Sequence, residues 1–82
     1  MTIKYFHAEW CGPCDQQKSI ITEIETETNH DVERIDIEEN QQKANEYNVR
    51  SLPSVIVEKD GVVEKQFTGV TDKNSILSIA ER

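Results

Sequence analysis

Three observations in the 82-residue sequence predict an α/β fold with the element order β-α-β-α-β-β-α. Strand-like and helix-like apolar patterns alternate through the first half, as in a parallel βαβ unit. Asp60-Gly61 between two strand-like runs marks a hairpin in the second half. A helical pattern then closes the chain. Joining a βαβ half to a hairpin gives an α/β sandwich around a four-stranded mixed sheet flanked by helices. A chain of this length is expected to form one domain, residues 1–82.

Thr2–His7 is β-branched and aromatic, as strands are. Gly12-Pro13 marks a turn into a helix, because proline is tolerated in a first turn. That helix should run to about Thr28, with Cys14, Ile20, Ile21 and Ile24 on one side and Glu23, Glu25 and Glu27 in solvent. Val32–Ile37 alternates apolar and charged residues and reads as a strand. Gln41–Tyr47 reads as a short helix with Ala44 and Tyr47 inward, ended by Asn48 in a left-handed cap. Ser54–Glu58 is the clearest strand, and Val62–Thr68 returns as its hairpin partner until Gly69 breaks it. Thr71 or Asp72 caps the last helix, whose inward residues should be Ile76, Leu77 and Ala80.

Charge excludes some functions. Nine basic and 16 acidic residues give a net charge of −7, and no basic patch is present for nucleic acid. Mean hydropathy is −0.67, and no segment is apolar enough to span a membrane. Met1-Thr2-Ile3-Lys4 leads straight into a strand without a signal peptide's charged and apolar regions, so a cytoplasmic location is expected.

Both cysteines of the chain, Cys11 and Cys14, stand three apart where the first helix begins. That spacing can close and reopen a small disulfide. Such a short loop adds only about 2 kcal/mol by the chain-entropy model, so stability is a poor reason to keep it. In a reducing compartment a Cys-x-x-Cys pair points to redox catalysis or to metal binding. Zinc wants four ligands, and the only imidazoles are His7, near enough to approach Cys11, and His30, at the far end of the helix. A closed metal site within one chain is not expected; a cluster shared between two chains stays open as an alternative. For redox chemistry the positions assign roles. A thiolate at Cys11 gains from the free N–H groups and dipole of the helix N-terminus, so Cys11 should attack a substrate disulfide. Cys14, one turn further in, should be less exposed and should resolve the mixed disulfide.

Ala8-Glu9-Trp10-Cys11-Gly12-Pro13-Cys14 resembles the active-site segment of the thioredoxin family. Further matches follow in order: Tyr47–Ser54 resembles the segment that leads into the family's cis-proline, Lys59-Asp60-Gly61 its hairpin, and Gly69 its glycine before the last helix. The resemblance covers the whole chain and starts at the strand leading into the cysteines, without the family's N-terminal strand and helix. It implies a minimal thioredoxin fold with sheet order 2-1-3-4 and a cis Leu52–Pro53 bond beside the cysteines. The Leu52 backbone would then be free to pair with an extended peptide. Trp10, Gly12, Pro13, Leu52, Pro53, Gly69 and Val70 would form a flat apolar substrate-binding patch around Cys11.

Three positions depart from the family. Tyr5 stands where a buried aspartate is usual, six residues before Cys11, so something else must help deprotonate Cys14. His7 replaces a common tryptophan and could tune Cys11. Ser19 replaces a helix-kinking proline, which implies a straighter helix.

The resemblance implies a protein-disulfide reductase that works as a monomer, binds no cofactor and no metal, and draws NADPH electrons through thioredoxin reductase. Its partners would be disulfide-containing proteins, ribonucleotide reductase among them. Two alternatives stay open. One is a glutathione-coupled, glutaredoxin-like reductant, although Gly69-Val70-Thr71-Asp72 keeps only part of the glutathione-users' pattern. The other is a non-catalytic module that binds a partner through the patch around Cys11.

Overall fold

The computed structural model describes residues 1–82. It contains the seven expected elements: β1 (Thr2–His7), α1 (Gly12–Glu27), β2 (Asp31–Asp36), α2 (Gln41–Glu46), β3 (Ser54–Lys59), β4 (Val62–Thr68) and α3 (Lys73–Ala80). The sheet order is β2-β1-β3-β4. β1 pairs parallel with β2 and antiparallel with β3, and β4 pairs antiparallel with β3. The order and strand directions are those the sequence predicts.

β1 has a strand on each side and a packed layer on each face. Ile3 and Tyr5 point to one face, where Ile21 and Ile24 of α1, Val55 and Val57 of β3, and Ile76 and Ala80 of α3 form the main core. Phe6 points to the other face and meets Ile35, Ala44 and Ile56 under α2. The period of two along β1 thus divides the protein into two hydrophobic layers.

Local chemistry sets the element ends. Asp60 and Gly61 both have positive φ, 52° and 79°, which suits the tight β3–β4 hairpin. Val57 pairs with Lys65 and Glu58 with Val63, so Glu64 is the extra residue of a bulge. Asn48 has φ 56° and ends α2 in the left-handed region, as expected. Asp72, rather than Thr71, caps α3: its carboxylate accepts from the Ser75 amide at 3.1 Å and the Ser75 hydroxyl at 2.6 Å. Those bonds hold the Asp72 carboxyl below its usual pKa, the hydroxyl contributing most.

Several boundaries differ from the sequence reading. β2 covers Asp31–Asp36 rather than Val32–Ile37, because its parallel register pairs Thr2 with Asp31 and His7 with Asp36. Ile37 remains tied to the sheet through its amide, which donates to the His7 carbonyl at 2.9 Å. α1 ends at Glu27, with Thr28 as its cap, and crosses Ser19 without interruption. Leu77 is half-buried, while Ile76 and Ala80 supply the buried face of α3. His30, beyond the end of α1, places its Nε2 3.2 Å from Glu81 Oε2 beyond α3.

Lys4 is the buried charge of β1, 7% exposed. Its ammonium donates to Glu33 Oε1 at 2.6 Å, lies 3.8 Å from Glu58 Oε1 and sits 5.5 Å from the Tyr47 ring centroid. Lys43 of α2 also donates to Glu33. Burial pulls the Lys4 pKa down, but the Glu33 hydrogen bond and the surrounding negative groups leave it raised. Hydrogen bonds from Lys4 and then Lys43 hold Glu33 below its ordinary value of 4.5. A depressed carboxylate stabilises the fold above its unfolded pKa, and that contribution fades as pH falls through the folded value. The Glu33 side chain is 38% exposed, so solvent screens the effect to at most about 1 kcal/mol. Glu33→Gln should therefore lower the melting temperature by a few degrees near pH 7. The difference from wild type should shrink below about pH 4 in a series of thermal melts. A deficit of constant size down to about pH 3 would show that charge at Glu33 is not its cause.

Candidate active site

β1 runs out at His7, and after four intervening residues the chain enters α1 at Gly12. Cys11 is the N-terminal cap residue of α1, with Gly12 and Pro13 opening the first turn. The Cys11 amide donates to the Ala8 carbonyl at 3.2 Å, and the Cys14 amide donates to the Cys11 carbonyl at 3.2 Å. The two cysteines are joined as a disulfide with Cα atoms 5.3 Å apart. Both are buried, Cys11 at 6% exposed and Cys14 at 3%, and they pack with Ala8 against Ile37 and Leu52. The difference in exposure expected between them is small.

What separates the two cysteines is the direction each faces. Cys11 lines a groove of about 420 Å³ with Trp10, Gly12, Pro13, Ile37, Val49, Arg50, Ser51 and Leu52. Trp10 is 67% exposed at this groove, and Arg50 is its one charged residue. Cys14 lines a different cavity of about 430 Å³, shared with Tyr5, His7, Ala8, Glu9, Asp15, Lys18, Arg34 and Asp36. The first is largely apolar and the second is rich in titratable groups.

The Leu52–Pro53 bond is cis. Leu52 stands in the groove wall, and its amide and carbonyl form no hydrogen bond within the protein. Pro53 is fully buried, and its carbonyl accepts the Gly69 amide at 2.9 Å. Pro53, Gly69 and Val70 therefore do not line the groove. Beside Cys11 the surface forms a groove walled by Ile37 and Val49–Leu52. Ile37, Val49, Arg50 and Ser51 were not anticipated in it, because the β2–α2 and α2–β3 loops bring them there from separate parts of the chain.

Tyr5 occupies the position of special interest in β1. Its hydroxyl donates to the Cys14 carbonyl at 2.6 Å and is buried. Burial raises its pKa; Arg34, its partner across the β1–β2 pair, opposes that shift, and Asp15 adds to it. Tyr5 is thus a neutral hydrogen-bond donor at physiological pH. His7 stacks on Tyr5, with ring centroids 5.0 Å apart and planes inclined by 26°. It shares the Cys14 cavity and is absent from the Cys11 groove. No group of three or more histidine, cysteine or acidic side chains is gathered as metal ligands.

Gln17 is fully buried in α1, one turn after Cys14. Its amide makes two bonds to one residue: Nε2 donates to the Thr71 carbonyl at 3.0 Å, and Oε1 accepts the Thr71 amide at 2.7 Å. Together with the Gly69–Pro53 bond, this latch connects the cysteine helix to the proline loop. A signal existed in the sequence, since Cys14, Gln17, Ile21 and Ile24 follow helical spacing along one buried stripe.

The family model for thioredoxin matches residues 1–82. A thioredoxin from Rickettsia conorii is 39% identical over 74 residues, covering 88% of this chain and 70% of the relative. A Bacillus subtilis thioredoxin is 33% identical over 79 residues, covering 94% and 76%. Among solved structures, thioredoxin 1 from Thermosipho africanus superposes with a TM-score of 0.88 at 27% identity, covering all of this chain and 92% of the other. The chain belongs to the thioredoxin family, and its Cys11–Cys14 pair makes it a thiol–disulfide oxidoreductase.

Replacing Gln17 by methionine keeps the volume and leaves the Thr71 amide and carbonyl without their partner. Urea unfolding should show a loss of roughly 1–3 kcal/mol. Unchanged stability would mean that solvent satisfies Thr71 equally well.

Proposed function

We propose that the protein reduces disulfides in other proteins, with Cys11 as nucleophile and Cys14 as resolving thiol. The observation that supports this most is the apolar groove, which opens on Cys11 alone and has the unpaired Leu52 backbone in its wall. An extended peptide laid along the groove can pair with that backbone and present its disulfide to Cys11, as in other strand-addition modes of peptide binding. Exposed Trp10 supplies an apolar surface beside it. The Cys11 thiolate at the N-terminus of a 16-residue helix is favoured by the unpaired N–H groups there.

The reaction has two steps. Cys11 thiolate attacks one sulfur of the substrate disulfide, forms a mixed disulfide and expels the first substrate thiolate. Cys14 thiolate then attacks Cys11 sulfur, closing the Cys11–Cys14 disulfide and expelling the second. Two electrons pass from the protein dithiol to the substrate, and the expelled thiolates take up protons. Thioredoxin reductase, drawing on NADPH, restores the dithiol, and the protein works in the cytoplasm as a monomer. Ribonucleotide reductase is one candidate substrate among disulfide-containing proteins. Gly-Pro between the cysteines supports a reducing role, and Gly69-Val70-Thr71-Asp72, which keeps only part of the glutathione-users' pattern, speaks against the glutathione-coupled alternative.

Insulin-disulfide reduction tests the assignment. Wild type should turn over with NADPH and thioredoxin reductase and stay inactive with NADPH, glutathione and glutathione reductase. Cys11→Ser should abolish turnover, and Cys14→Ser should accumulate the mixed disulfide, seen by mass spectrometry. Turnover driven by glutathione alone would identify a glutaredoxin-like donor route. Activity surviving in Cys11→Ser would remove the nucleophile assignment.

A further inference from the structure

The thiol that resolves the mixed disulfide must lose its proton, and Cys14 is buried where a thiolate is disfavoured. An ordinary thiol with a pKa of about 8.5 is only a few per cent ionised at neutral pH, and burial reduces that share. A group that shares the Cys14 cavity is placed to receive this proton. Candidates come from every element around it: Tyr5 and His7 from β1, Glu9 from the following loop, Asp15 and Lys18 from α1, and Arg34 and Asp36 from β2.

Most of these are committed elsewhere or ill matched to the task. Tyr5 gives its hydroxyl proton to the Cys14 carbonyl as a hydrogen bond and accepts nothing. Arg34 donates to Thr22 and Glu25. Asp36 Oδ1 accepts the Glu38 amide at 2.8 Å. Lys18 is a cation and no acceptor at neutral pH. Glu9 and Asp15 are exposed carboxylates, and as a class carboxylates are about four pH units more acidic than a thiol. His7 differs from all of them. Its ring is half-buried, held in orientation by the Tyr5 stack, and its nitrogens form no hydrogen bond within the protein. Imidazole is also the side chain that ordinarily changes protonation between about pH 5 and 8.

We propose that His7 is the proton acceptor for the Cys14 thiol during resolution of the Cys11 mixed disulfide. The inference rests on the resolving role assigned to Cys14 above. Neutral His7 takes the Cys14 proton through solvent in the shared cavity and becomes imidazolium. The Cys14 thiolate attacks Cys11 sulfur, the bond to the substrate sulfur breaks, and the substrate thiolate leaves on the groove side. The imidazolium then loses its proton to solvent. Attack by Cys11 does not use His7, because the two face different cavities.

Stopped-flow reaction of the reduced protein with excess dithiobis(nitrobenzoate) separates the steps. The first release of thionitrobenzoate reports Cys11 attack, and the second, independent of reagent concentration, reports resolution by Cys14. In wild type the second rate should rise with pH through an inflection, as a general-base step does. His7→Gln, and His7→Phe, which keeps the stack on Tyr5, should lose that inflection. They should slow the second phase by about 100-fold near pH 7, the lower end of the range for general-base catalysis, and leave the first phase unchanged. Added imidazole should restore part of the second phase in His7→Ala, and Asp15→Asn should keep the inflection. The proposal is overturned if both His7 variants retain the inflection, if they slow the phase equally at every pH, or if Asp15→Asn removes it. A wild-type second phase that persists in Cys14→Ser would instead overturn the resolving role of Cys14 itself.

Discussion

β1, like its neighbour β3, is confined on all four sides, and the site depends on the confinement of β1. β2 and β3 hold its two edges, and packed layers cover its two faces. A strand so enclosed has its register fixed, because a slip of one residue would exchange Tyr5 with Lys4 or Phe6 and expose each to the wrong layer. Its end therefore delivers Ala8 and Cys11 to a fixed place, and Tyr5 reaches across to fasten the Cys14 carbonyl at 2.6 Å. Strand and helix are joined at the cysteine pair by that bond, not only by apolar contact.

Polar groups inside so small a protein need complete partnering. Lys4 and Gln17 are both buried, and neither is left with an unmatched side-chain atom; no buried side-chain nitrogen or oxygen lacks a partner. Their partners lie far away in sequence. Lys4 meets Glu33 and Glu58, and Gln17 meets Thr71. Each bond forms only when distant segments have come together, β1 with β2 and β3 for Lys4 and α1 with the β4–α3 loop for Gln17, so the polar interior adds directional specificity to a core that apolar contact alone would pack less uniquely.

Much of this architecture was legible in the chain. A β-branched and aromatic run marked β1, the Ser54–Glu58 run marked β3, Asp60-Gly61 marked the hairpin, and the motif from Trp10 to Cys14 located the redox pair at the start of α1. What escaped has a common cause. β2 was displaced by one residue because its parallel register, not its apolar pattern, decides where it begins. Gln17 lies on the apolar stripe of α1 as a polar residue, and its partner is backbone 54 positions away. The contact of Tyr5 is also a backbone carbonyl, which leaves no mark in side-chain pattern. The groove gathers Ile37 and Val49–Leu52 across two loops whose approach to Trp10 is a tertiary fact.

The two cavities explain how neighbouring sulfurs can be given separate tasks. Three residues of helix turn Cys11 toward an apolar groove and Cys14 toward a polar cavity behind it. A nucleophile needs an open approach for its substrate and a stabilised anion, which the groove and the helix N-terminus supply. A resolving thiol needs the reverse. It should stay protonated and shielded until the mixed disulfide has formed, because a permanently ionised second sulfur would compete for substrate. Placing Tyr5 at the sixth residue before Cys11 keeps a neutral hydroxyl under Cys14 where an acidic side chain would carry charge. The titratable chemistry then moves two residues along β1, to the next side chain on the same face, and that residue is His7.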